Sequence, residues 1–170
     1  MKARWLALLL LMVAGFLGVW FSLRWLEQSY DQPFAQVEDG LYIGSSVDRP
    51  PRGTKAVVNL CGREDPYETE ASLWEPVFEA GQEPSLEWLN RVVEFIATQR
   101  NEGRPTYVHC QAGMNRSGAV VTAYLMYKHG WGRDKALTVV QSKREVVQPN
   151  PTLMRLLAEW ETALEEKRAG

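Results

Sequence analysis

The chain has 170 residues, with 19 Lys and Arg against 21 Asp and Glu and a formal net charge of −2. That balance supplies no polybasic surface for nucleic acid, and the length suits one domain plus an appendage. Two cysteines and two histidines (Cys61, Cys110, His109, His129) are too few and too scattered for a disulfide scaffold or a Cys/His metal site.

Met1-Lys2-Ala3-Arg4 is basic. Trp5 to Leu23 is then apolar apart from Gly15, Gly18 and Ser22, and Arg24 ends the run. As a helix this run is ~28 Å long, about one hydrocarbon core. Trp5, Trp20 and Trp25 sit near its ends, where indole rings favour the membrane interface. A secretory signal peptide is the rival reading. Its apolar region is usually shorter, and bulky Phe21, Leu23, Trp25 and Leu26 occupy the place of a small-x-small cleavage site. We read residues 1–27 as an uncleaved transmembrane anchor of a single-pass membrane protein. Lys2 and Arg4 before the span, against Arg24 alone close after it, favour the rest of the chain outside, by a small margin.

Residues 28–36 read as a polar linker, with Pro33 against any helix. A domain over 37–167 follows. Asp39-Gly40 is a turn before the short strand Leu41–Gly44, and Ser45–Gly53 is a loop rich in Pro and Arg. Lys55–Leu60 is a continuous apolar strand suited to a parallel sheet, and a short strand is expected near Ser72–Trp74. Ser85 caps a helix running to Arg100, with Leu86, Leu89, Val92, Val93 and Ile96 inward. Gly103-Arg104-Pro105 leads to the strand Pro105–Val108, which completes a βαβ unit. After a helix over Ala119–Lys128, His129 interacts with the helix C-terminus. Asp134 then caps a helix over Lys135–Lys143, and Thr152–Lys167 forms a last helix with Leu153, Leu156, Leu157, Trp160 and Leu164 inward. The class is α/β: a central, mostly parallel sheet flanked by helices, plus one N-terminal transmembrane helix.

Between the strand at Val108 and the helix at Ala119 lies His109-Cys110-Gln111-Ala112-Gly113-Met114-Asn115-Arg116-Ser117-Gly118. A loop there points backbone N–H groups at one spot, and the following helix adds its positive end. The same dipoles that hold a phosphate dianion lower the pKa of a cysteine thiol, so Cys110 reads as a nucleophilic thiolate. Arg116 offers two parallel N–H donors to phosphoryl oxygens, beside the loop amides Gln111, Ala112, Gly113, Met114, Asn115 and Arg116. Gly113 and Gly118 permit close approach, and Ser117 sets a hydroxyl by the sulfur. His109 orients the loop by hydrogen bonding in the weaker of its readings.

His-Cys-x5-Arg-Ser-Gly resembles the signature of the cysteine-dependent protein tyrosine phosphatase superfamily, dual-specificity branch. Gly40-Leu41-Tyr42-Ile43-Gly44 is similar to the entry into many such domains. The resemblance covers about Val37 to Trp160. It implies a protein tyrosine phosphatase-like fold and two-step hydrolysis of phosphotyrosine, phosphoserine or phosphothreonine in proteins, with no metal and no cofactor. It also implies an Asp general acid about thirty residues before the nucleophile, where this chain has none. Spacing favours Glu79, with Ala80 in the acid's slot by the Gly-x-x-Pro pattern and Glu75 and Glu83 as fallbacks. Cys61 falls where some members carry a cysteine that bonds the nucleophile, which makes it a redox partner for Cys110 or a small buried residue. A membrane anchor brings in a phospholipid headgroup phosphate, such as phosphatidylglycerophosphate, as the alternative substrate. The missing Asp brings in a phosphate-binding pseudophosphatase. Action on cytoplasmic phosphoproteins requires the orientation opposite to the one the flanking charges favour, which leaves the side of the membrane open.

Overall fold

A computed structural model describes residues 12, 15–16, 18–20, 32–77 and 83–170. The chain forms two units, Met1–Gln32 and Pro33–Gly170. In the first, the described residues Met12, Gly15, Phe16 and Gly18–Trp20 are helical, and Met12, Phe16, Val19 and Trp20 are exposed. Among the described residues no helix is long and apolar enough to cross a membrane, and most of the expected span over 1–27 lies outside them.

Among the described residues, the second unit holds five strands: β1 (Phe34–Glu38), β2 (Leu41–Ser45), β3 (Ala56–Asn59), β4 (Ala71–Trp74) and β5 (Thr106–Cys110). Its helices are α1 (Leu86–Asn101), α2 (Arg116–His129), α3 (Arg133–Lys143) and α4 (Pro151–Ala169). The sheet order is β1-β2-β5-β3-β4. β1 pairs antiparallel with β2, and the other three pairings are parallel, which makes the sheet mixed. β1 begins at Phe34, inside the segment read as a linker. The polar stretch before it and Pro33 hide a strand that is only half-buried, with Val37 as its one buried residue.

Alternation along the strands gives the two faces different work. Leu41, Ile43, Val58, Val108 and Cys110 belong to the main apolar core with the helices. Tyr107 and His109, the intervening residues of β5, are also fully buried but lie on the opposite face. α2 is the central helix, packed against α1, α3, α4 and β5. Ser117 to Met126 are buried without interruption, so α2 is apolar all round rather than amphipathic.

The helix ends show what local sequence does and does not decide. Ser85 Oγ accepts from the Trp88 amide (3.2 Å) and Asn150 Oδ1 from the Leu153 amide (2.9 Å), with Pro151 opening α4. Asp134 is not a cap. α3 starts two residues earlier, at Arg133 behind Gly132, because Glu161 Oε1 of α4 takes the Arg133 amide (2.7 Å). Leu153, Leu156, Leu157, Trp160 and Leu164 form the buried face of α4, and Trp160 Nε1 donates to the Ala123 carbonyl of α2 (3.1 Å). Leu157 is fully buried. Leu157→Ala is expected to lower unfolding free energy by about 2–5 kcal/mol in urea titrations of the full chain. A loss below about 1 kcal/mol would show that α4 is not part of the cooperative core.

Candidate active site

β5 ends at Cys110 and α2 begins at Arg116. Gln111–Asn115 must therefore turn the chain from the carboxyl end of a central strand into a helix N-terminus. Every carbonyl in this turn is taken. Gln111 O accepts from the Ser46 amide (3.3 Å), Met114 O from the Gln148 amide (3.0 Å) and Asn115 O from the Ala119 amide (3.0 Å). Ala112 O and Gly113 O accept from Arg144 Nη2 (3.3 Å) and Nε (2.8 Å). With the carbonyls bound on the outside, the peptide planes turn their N–H groups inward, at the positive end of α2.

Gly113 is required at the crest of the turn. Its φ is +67°, and a Cβ there would stand 2.4 Å from the carbonyl carbon of Gly44. Gly44 is held as closely. A Cβ on it would lie 2.5 Å from the Tyr107 hydroxyl, which donates to Ser45 O (2.5 Å). The glycine that closes the Gly40–Gly44 pattern thus makes room for the Tyr107 hydroxyl, and Gly113 lets the loop touch strand β2.

Cys110 is 2% exposed, and its Sγ lies 3.3 Å from Ser117 Oγ. Burial pushes its thiol up. Hydrogen bonds from the Ser117 hydroxyl and from the Ser117, Gly113 and Met114 amides outweigh that and leave the thiol below its ordinary range. The Gly113 and Met114 amides are among those the bound carbonyls turn inward, and the Ser117 amide belongs to the first turn of α2. Arg116 Nη1 donates to Leu60 O (2.7 Å) at the end of β3 and to Val77 O (3.3 Å), which seats the guanidinium from two sides of the loop. Asn115 Oδ1 accepts from the Asn150 amide (2.6 Å), which ties the loop to the start of α4.

The structure thus brings Cys110, Gln111, Ala112, Gly113, Met114, Asn115, Arg116 and Ser117 into one concave turn. His109 does not bond the loop. It is fully buried on the far face of β5, where its Nε2 meets the Asp65 carboxylate at 3.1 and 3.2 Å and its ring stacks on Tyr107. Cys61 and Cys110 are both buried, and Cys61 Sγ stands 3.9 Å from His109 Nδ1. A cleft of about 690 Å³, lined in part by Asp65, Tyr67, Leu73 and Trp74, opens on that far side rather than over Cys110. Glu79 and Ala80 lie outside the described residues. Of the fallbacks, Glu75 is paired with Arg91 (3.4 Å) and Glu83 is exposed. Arg144 and Asp65 were not singled out from the sequence. Each acts across more than thirty residues and reads locally as a helix-end base or a loop acid.

Residues 50–163 match the family described as dual specificity phosphatase, catalytic domain. The chain is 29% identical over 142 residues to human protein phosphatase Slingshot homolog 2, across 79% of this chain and 10% of that protein. It is 42% identical over 74 residues to rat Slingshot homolog 3, across 44% of this chain and 11% of that protein. It thus spans about a tenth of the length of these curated relatives. The crystal structure of human DUSP28 superposes with a TM-score of 0.71 at 30% identity, over 79% of this chain and 96% of that one.

Two outcomes follow from the site. Arg144→Met strips two loop carbonyls of a charged donor, an interaction of about 1.5–3 kcal/mol. Oxyanion binding measured by calorimetry is expected to weaken about ten- to hundredfold. Unchanged affinity would mean the loop holds its shape without Arg144. The Cys110 thiolate is populated above its lowered pKa and is lost as pH falls through it. Ser117→Ala removes the leading stabilising bond, so the pH midpoint of Cys110 alkylation by iodoacetamide should move up. Superimposable pH curves would contradict the assignment.

Proposed function

The chain belongs to the dual specificity phosphatase family, and from that premise we propose that it hydrolyses phosphomonoesters through a phosphocysteine intermediate. The observation that carries this reading is the lowered Cys110 thiol inside a turn whose carbonyls are all bound outward. Cys110 Sγ attacks phosphorus, an S–P bond forms and the P–O bond to the leaving oxygen breaks. The loop amides and Arg116 stabilise the charge on the equatorial oxygens. Water then cleaves the S–P bond, and the Ser117 hydroxyl, 3.3 Å from Sγ, stabilises the departing thiolate.

Glu79 is the proposed general acid, which protonates the leaving oxygen and then takes a proton from the attacking water. Val77 supports this, because its carbonyl is 3.3 Å from Arg116 and two residues of chain span at most about 7 Å. Phosphotyrosine, phosphoserine and phosphothreonine in proteins are the proposed substrates, in keeping with the names of the Slingshot relatives. Residues 1–27 are proposed as the membrane anchor, residues 28–36 as the linker and residues 37–167 as the catalytic domain. The apolar run Trp5–Leu23 and the exposed Met12, Phe16, Val19 and Trp20 on helical backbone support the anchor. The same exposed residues favour a second reading, a phospholipid headgroup monophosphate presented at the bilayer surface. Cys61, which is buried, remains the proposed redox partner of Cys110 on the family resemblance, with a small buried residue as its other reading.

The test is phosphate release by the full chain in mild detergent from an aryl phosphate, phosphopeptides and anionic phospholipid vesicles. Turnover that disappears in Cys110→Ser is expected, with phosphopeptides preferred over vesicles. Turnover that survives in Cys110→Ser would overturn the mechanism, and a preference for vesicles would establish the lipid reading. Glu79→Gln should slow release from phosphoserine peptides by about 10²–10⁴ and affect aryl phosphate, with its better leaving group, far less. An equal loss on both would remove Glu79 as the acid.

A further inference from the structure

We propose that Arg63 forms a second anion subsite on the rim of the phosphate-binding turn. It takes a carboxylate or phosphate carried within about three residues of the scissile phosphate in a peptide substrate. The proposal rests on the reading of Cys110–Arg116 as a phosphohydrolase site and adds a specificity element to it.

The turn after β3 is built to hold Arg63 in place. Asn59 is 4% exposed, and its side chain clamps both ends of the turn. Its Oδ1 accepts from the Cys61 amide (2.8 Å), and its Nδ2 donates to Arg63 O (2.9 Å). Leu60, inside the same clamp, supplies the carbonyl on which Arg116 rests (2.7 Å). One short turn therefore seats the guanidinium that meets the phosphate and presents a second one three residues later. Arg63 Nη2 reaches back to Ser46 Oγ (3.5 Å), and the Ser46 amide holds Gln111 O, the first carbonyl of the catalytic turn. Arg63 is thus tied to the rim on both sides.

The spacing selects the ligand. Three residues of chain span at most about 10 Å, and an extended peptide advances about 3.3–3.6 Å per residue. An anion held at Arg63 therefore lies within about three residues of the phosphorylated one. The local charges agree. Arg63 is exposed, and among the described residues no carboxylate lies within ion-pair distance of its guanidinium. Of its acidic neighbours, Asp65 is already paired with His109 (3.1 Å), and Glu64 is exposed to solvent. Arg144, the basic side chain behind the turn, donates to the Ala112 and Gly113 carbonyls.

The test uses the full chain carrying Cys110→Ser, so that the ligand is not consumed. Two phosphotyrosine peptides are compared by fluorescence anisotropy, one with Asp and one with Ala at the positions flanking the phosphotyrosine. The acidic peptide is expected to bind about three- to fivefold tighter at low salt, with the advantage shrinking as salt rises. Arg63→Ala in the same background should bring the ratio to about one, and Arg63→Glu should invert it. Alanine keeps the carbonyl that Asn59 holds, so the turn is preserved. Equal binding in the parent, or an advantage that survives Arg63→Ala, overturns the subsite. An Arg63-dependent preference seen with anionic vesicles and absent with peptides overturns the peptide assignment. Phosphate release from aryl phosphate by the chain with Cys110 intact separates the two readings. Release without an acidic preference removes the subsite alone, and an Arg63-dependent preference without release removes hydrolysis alone.

Discussion

The site depends on one constraint. Five successive carbonyls between β5 and α2 must find donors on the outer side of the turn, or the amides cannot converge on its inner side. Those donors come from all over the second unit. Ser46 follows β2, Ala119 lies in α2, Arg144 ends α3, and Gln148 belongs to the segment before α4. The sheet, the buried central helix and the C-terminal helices therefore do more than enclose a core. They set the positions of these donors relative to the end of β5. A phosphate nest built from backbone N–H groups costs little to use at the moment of reaction, because its dipoles are already oriented.

The thiolate follows from the same constraint. Cys110 is buried, and burial alone opposes its ionisation. The inward amides and the Ser117 hydroxyl reverse that balance, so a site that attracts a phosphate dianion also holds the nucleophile ready. Arg116 completes the arrangement with a guanidinium fixed by the carbonyls of Leu60 and Val77. The far face of β5 adds rigidity. His109, next to the nucleophile, is locked between Asp65 and the ring of Tyr107.

How much of this was legible in the sequence depended on contact range. Cys110, Gly113, Arg116 and Ser117 fall within eight residues, and strand and helix patterns flank them, so the turn and its chemistry could be read locally. The buried face of α4 and the Ser85 cap were legible for the same reason. Arg144 and Asp65 were not, because their partners lie 31 and 44 residues away and nothing beside them marks the contact. β1, a half-buried edge strand, was hidden by the polar stretch before it and Pro33. Asp134 looked like a cap because the residue that replaces it, Glu161, is 28 positions downstream. The anchor expected over 1–27 and Glu79 were read from the sequence, and most of the first and all of the second lie outside the described residues.

The central claim is that Cys110 carries the phosphoryl group between the two steps. Rapid acid quenching of the full chain during turnover of an aryl phosphate, followed by mass spectrometry of the peptide containing Cys110, tests this directly. A phosphoryl adduct on Cys110 is expected to appear with turnover and to be absent from the Cys110→Ser chain. Phosphate release with no adduct on Cys110, or an adduct on another residue, would contradict the claim.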